Sequence, residues 1–263
     1  MNTIYKYEMR NYMKSLLIWT IAVGGLCGVC ILLFSSMEES MANIAESYAS
    51  MGAFSEAFGM DKLSMATLKG FYATEVGTIH GLGGAMFAAV ISMVSISKEE
   101  DGHTGEFLFT LPITRGKVLS AKLCAIVTNL FVFNLVCIGI YGVSFIILGK
   151  GIAVGEFFLF HLMQFLMQLE IAGICFGLSA CMKKNKLGIG LGVVLFLYAY
   201  DLMARVIPDL KNIIAIGPFS YANAADIFSS GTIDVLALFI GLVLMLGGYV
   251  SAYIVYIRRD LAS

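Results

Sequence analysis

Six runs of apolar residues, at 16–34, 76–97, 123–148, 157–182, 187–206 and 235–257, carry only isolated polar positions, and charge collects between them. A hydrocarbon core of about 30 Å takes about 20 helical residues, so each run predicts a membrane-spanning α-helix. At about 1.5 Å per residue the third and fourth runs exceed that thickness and should tilt or project. Residues 1–15 set Ile4, Tyr5, Met9, Tyr12 and Met13 broadly opposite Lys6, Arg10 and Lys14, the pattern of a helix lying in the membrane interface. The long stretch 35–75 predicts a partly helical surface segment, and 207–234, with Pro208, Gly217-Pro218 and Gly231, is too polar and broken to span.

Composition leads to the same class. At 59% hydrophobic and 13% charged residues over 263 positions, the chain has too little polar surface to coat a soluble globule. Its mean hydropathy of +0.87 agrees. The expectation is an all-α polytopic membrane protein, a single transmembrane domain of residues 1–263 solvated by lipid.

The formal net charge of -1 says little, but the placement of charge sets an orientation. Lys6, Arg10 and Lys14, then Lys98, Arg115, Lys117 and Lys122, then Lys183, Lys184 and Lys186, then Arg258 and Arg259 all fall on one side. Lys62, Lys69, Lys150, Arg205 and Lys211 are left for the other. Basic loops resist translocation, so both termini and the 98–122 island should be cytoplasmic, in the cell membrane. A cleaved signal peptide fits poorly, because the first run is long and ends in SSMEES without a small-x-small site.

Several chemistries lack a motif. The Gly-Lys pairs Gly116-Lys117 and Gly149-Lys150 have neither the upstream glycine nor the following Ser or Thr of a phosphate-binding loop. There is no His-Glu-x-x-His, and the nearest approach to a Gly-x-Ser-x-Gly elbow is Gly177-Leu-Ser179-Ala-Cys181. The six cysteines lie within or at the edges of apolar runs, where they act as small apolar residues; disulfides are not expected, and neither is a metal. A non-catalytic membrane subunit is the outcome, with no cofactor of its own.

The island reads KEEDGHTGEFLFTLPITRGKVLSAK. Asp101-Gly102 can end the second helix, and Thr104 can cap a short helix with Glu106 in its first turn. Phe107, Leu108 and Leu111 give that helix an apolar face, Pro112 ends it, and Arg115, Lys117 and Lys122 open the third span. Glu99, Glu100, Thr104, Glu106, Leu108, Pro112, Arg115 and Lys122 in this order resemble the signature that follows the second span of ABC-2 type permeases, the membrane subunits of a class of ABC exporters. The six spans and the N-terminal interfacial helix extend the resemblance, whereas His103 stands where many relatives have glycine.

The resemblance implies a coupling helix over 104–111 that docks on a nucleotide-binding subunit, with Phe107 and Leu108 as its plug and Glu99, Glu100 and Arg115 as its polar frame. It implies two ABC ATPase subunits carrying ATP and Mg, and a second six-span permease, identical or paralogous. The turn at Lys183-Lys184-Asn185-Lys186 is a second contact or a topology anchor. It also implies short re-entrant helices, with 213–216 and 219–225 as pieces, near the external face. Exported cargo in the family ranges from peptides and antibiotics to lipids and polysaccharides, and nucleic acid is not among the expected partners.

Polar residues inside the spans supply the remaining candidates. An ionised acid at the bilayer centre costs about 2.5 to 3.5 kcal/mol on insertion scales, so Glu170 should face protein or water. It shares a helix face with Gly173 and Gly177, while His161, Gln164 and Gln168 lie roughly opposite. Asp201 and Arg205 form an i, i+4 pair that can neutralise itself. Each is either interhelical glue or part of a pathway, and Gly24-x-x-x-Gly28, Gly77-x-x-x-Gly81 and Gly188-x-x-x-Gly192 are packing motifs. Two other classes stay open at this point: an ion-gradient-driven transporter using Glu170 or Asp201, and a membrane component of a sensory or assembly complex.

Overall fold

The computed structural model describes residues 1–102, 113–182, 184 and 186–258, with Glu100 through its backbone alone. All of its regular structure among these residues is helical. That follows from the composition, since in hydrocarbon each backbone N–H and C=O must be satisfied within its own segment.

The first helix runs from α1 (Asn2–Trp19) through a π-helical segment (Thr20–Gly25) into α2 (Leu26–Ala49). Short helices α3 (Ala53–Phe58) and α4 (Leu68–Phe71) follow, and a second π segment (Tyr72–Val76) leads into α5 (Gly77–Asp101). Then come α6 (Arg115–Leu148), α7 (Val154–Cys181) and α8 (Leu187–Val206). A 3-10 helix (Pro208–Ile216), α9 (Pro218–Tyr221) and α10 (Ala224–Ser230) precede the last long helix, α11 (Val235–Arg258). Six of these helical stretches are long and apolar enough to cross a membrane, as the six runs require.

The expected separation of residues 1–15 from the first span is not seen. Helical backbone continues through Thr20 (φ −66°, ψ −41°), and the helical stretch that holds the first apolar run extends over Asn2–Ala49. No proline interrupts it, and two of its three glycines are held by packing: a Cβ on Gly24 would lie 3.0 Å from Ile140, and one on Gly28 would lie 2.8 Å from it. The first span therefore lies close against α6. The buried face of α1 is Ile4, Glu8, Tyr12 and Leu16, an i, i+4 stripe with a carboxylate in it.

Close approach recurs between α7 and α11. A Cβ on Gly173 would stand 2.7 Å from the Met245 carbonyl, and one on Gly248 would stand 2.3 Å from the Gly173 carbonyl, so these backbones touch. This is the glycine face that Glu170 shares. Gly77 meets Ala224 and Gly81 meets Gln164, but Gly188 and Gly192 have open space around them. In the fifth span Gly190 is the glycine that packs, against Met93 of α5, because the buried stripe of α8 passes through Gly190, Val194, Asp201 and Ala204.

The segment between the last two spans turns back into the bundle. Phe219, Tyr221, Ala222, Ala224, Ile227 and Phe228 are buried, and Gln164 Nε2 of α7 donates to the Ala222 carbonyl at 2.8 Å. Gly217-Pro218 starts α9 with proline at its first turn, and Asn223 caps α10 by accepting from the Asp226 N–H at 3.0 Å.

Candidate functional site

The two flanks of the island lie at the end of the bundle where α1 begins and α11 finishes. Its first flank is the last turn of α5: the helix ends at Asp101, and the Gly102 N–H closes on the Lys98 carbonyl at 3.0 Å. Its second flank opens at Thr114, in extended conformation, with Arg115 starting α6. Arg115 Nη1 donates to the carbonyls of Tyr256 (3.4 Å) and Ile257 (3.1 Å), which ties this flank to the end of α11. Thr104, Glu106, Phe107, Leu108, Leu111 and Pro112 lie outside the described residues, as do His103 and Lys183, so the expected coupling helix does too.

Four charges join the two flanks. Lys122 Nζ lies 2.7 Å from Glu8 Oε1 and 2.6 Å from Glu99 Oε1, and donates to the Ser95 carbonyl at 2.7 Å. Glu8 Oε2 accepts from Lys98, whose ammonium also sits 5.0 Å from the centre of the Tyr12 ring. The Lys122 and Glu8 side chains are 0% and 1% exposed. Tyr256 donates to Glu99 Oε2 at 3.4 Å. Glu99 is therefore held inside the chain, between α6 and α11, and Glu8 is a participant that the sequence left unnoticed on its interfacial helix.

At the opposite end Lys62, Lys69, Lys150 and Arg205 are paired. Lys62 meets Asp226, Lys69 lies 3.6 Å from Glu156, and Lys150 meets Glu38. The Asp201–Arg205 pair forms as expected, with Nε–Oδ2 2.8 Å and Nη2–Oδ1 3.2 Å, and Arg205 reaches on to Asp226 at 3.0 Å. Asp201, Arg205, Asp226 and Lys62 thus alternate in sign and strap α10 to the end of α8. Burial pushes the Asp226 carboxyl up, but Arg205 and then Lys62 outweigh it and hold it below the ordinary carboxylate value.

A sequence model of the ABC-2 family transporter protein matches residues 2–261. The chain belongs to that family. It is a multi-pass membrane subunit of an ABC transport system, and association with an ABC ATPase comes with membership. No curated protein matches the chain.

Within this permease the polar candidates separate into three places. Gln164 and Asp201 line one cavity of about 50 Å³, together with Thr78, Tyr198 and Asn223. That volume holds a few waters at most. Gln168 lies elsewhere, in a chain of amides and rings: Asn134 Nδ2 donates to Gln168 Oε1 at 2.6 Å, and His80 Nε2 faces Asn134 Oδ1 at 3.3 Å. Because that oxygen only accepts, His80 carries its proton on Nε2, and Tyr141 donates to Nδ1 at 2.9 Å. Tyr72 and His161 pair beside them at 2.8 Å. Glu170 is in the third place, against α9 and α11, where Tyr221 bonds one of its oxygens.

His80 and Asn134 escaped the sequence reading although each is a strongly polar residue inside an apolar run. The signal that marks Glu170 in α7 and Asp201 in α8 is present at these positions of α5 and α6 as well. Among the described residues no group of three or more His, Cys, Asp or Glu side chains is placed to hold a metal.

Proposed function

We propose that this permease forms half of the translocation path of an ABC exporter in the cell membrane, with both termini and the 98–122 island in the cytoplasm. A second six-span subunit, identical or paralogous, completes the path, and two ATPase subunits carrying ATP and Mg drive it. The observation that carries this reading is how the island joins the bundle. Its flanks are bound to α1, α5, α6 and α11 by Glu8, Lys98, Glu99, Arg115, Lys122 and Tyr256. A load applied there reaches four helices, as a docking element requires.

The orientation is supported by the basic residues outside that network, Lys6, Arg10 and Lys14, at the same end. The path between subunits is supported by the packed interior. The cavity beside Gln164 and Asp201 admits water but not a peptide, antibiotic or other amphipathic cargo, so such a cargo passes along the outside of this bundle, against the second subunit.

Phe107 and Leu108 are the proposed plug of the docking helix, framed by Glu100, Thr104, Glu106, Leu111, Pro112 and Arg115. Replacing both by Asp should reduce co-purification of the ATPase by about tenfold or more, the loss typical of an apolar anchor, with membrane insertion unchanged. Retention of the ATPase at the wild-type level in that variant overturns the docking assignment.

A further inference from the structure

The buried charges at the base of the island do more than close a helix end. We propose that Glu8 and Lys122 are positioning residues for coupling: through them a displacement of the island is passed to the N-terminal helix and so to the first span. This rests on the reading of the island as the ATPase dock.

Four observations support it. Glu8 sits within α1, and its two partners come from opposite flanks of the island, Lys98 before it and Lys122 after it. The set alternates in sign, Lys98, Glu8, Lys122, Glu99, and the two central side chains are the ones shut away from solvent. Attraction between charges strengthens as the local dielectric falls, so this contact resists displacement where an apolar one would slide. Finally, α1 continues without a break into the span that packs on α6 through Gly24 and Gly28, so whatever moves Glu8 moves that span.

A stabilising role alone does not account for the arrangement. Desolvating an ammonium and a carboxylate offsets most of their attraction, and well-packed apolar residues of similar size commonly do as well or better. Ile4, Val118 and Ala121 already provide an apolar contact beside the pair. What the charges add is register. The ammonium of Lys122 is held at once by Glu8, Glu99 and the Ser95 carbonyl, which fixes α1 against α5 and α6 at a single setting.

The test uses the permease in complex with its ATPase in lipid nanodiscs, trapped with ATP and vanadate, and reads hydrogen exchange of the backbone amides. The variant is Glu8→Gln with Lys122→Met, which removes one charge of each sign and leaves no buried ion unpaired at the centre. It should fold, retain the ATPase, and show the wild-type response on trapping in the first turns of α6. The response in residues 2–25 should fall by about fivefold or more, the scale of a lost coupling energy. Glu8→Gln alone should show the same selective loss. A double variant that transmits to residues 2–25 as wild type does would overturn the proposal. So would one that fails to fold, since the pair would then be a structural one. A wild-type preparation that holds no ATPase would strike the docking reading itself, and this inference with it.

Discussion

Tyr221 donates its phenolic proton to Glu170 Oε2 at 2.9 Å, and this bond fastens the segment before the last span to α7. The other carboxylate oxygen is buried without a hydrogen-bond partner, and a Cβ on Gly241 would stand 2.4 Å from Oε2 and 2.9 Å from the Tyr221 ring. Tyr221→Phe removes the donor and should lower stability by about 1 to 3 kcal/mol. Glu170→Gln keeps an acceptor and should cost less. Gly241→Ala should match Tyr221→Phe, because the added methyl displaces the carboxylate. Thermal unfolding of the three variants in detergent orders them.

The helix contact next to this site gives a second comparison. Gly173→Ala places a methyl against the backbone of α11 and should destabilise by about 1 to 3 kcal/mol through overpacking. Gly192→Ala meets open space in the interior of α8 and should be neutral or stabilising by up to about 1 kcal/mol. Equal effects at the two positions would contradict the packing described for α7 and α11.

How far these contacts could be read from the residues alone depends on the range over which they act. The apolar runs, the end of α5 at Asp101-Gly102, the Asp201–Arg205 pair and the Glu170–Gly173–Gly177 face are local patterns, and all are legible. Glu8 is different. Its partners lie 90 and 114 residues away, and in sequence they read as solvated topology markers, although Lys122 is fully buried. The length of the first helix was also hidden. Ser35, Ser36, Glu38 and Glu39 mark the end of an apolar run, but polar residues end a membrane crossing without ending a helix. The Gly188-x-x-x-Gly192 spacing failed for a third reason, since spacing fixes a face and not what that face meets.

The amide chain makes a contrast between two buried asparagines. Asn134→Leu removes the partner of both Gln168 and His80 Nε2 and should cost about 1 to 3 kcal/mol for each group orphaned. Asn129 bonds the Ala125 carbonyl and the Met9 sulfur through its nitrogen, while its own oxygen is buried without a partner. Asn129→Leu should therefore cost under about 1 kcal/mol or be stabilising. Denaturation curves of the two variants decide it.

The strap between α8 and α10 should respond to acid in one direction. The folded-state Asp226 carboxyl lies below its ordinary value, so its contribution is complete above the unfolded value near pH 4 and is lost as pH falls through the lower, folded value. Stability should show no strap-dependent change from pH 8 to 5 and should decline below about 4. Asp226→Asn should be less stable at neutral pH and lose that acid-dependent decline. A thermal-melt series over pH for both proteins checks the sign.

The unbroken first helix makes the chain a lever. Its 48 residues, at about 1.5 Å each, form a rod of about 72 Å, more than twice the thickness of a hydrocarbon core. A tilt of about 5° at one end of such a rod carries the other end through about 6 Å, the length of a helical turn. Small angular work at Glu8 can thus be read out as a large translation at the Ala49 end, where Met41 and Tyr48 pack against the same apolar cluster as Phe58 and Leu68.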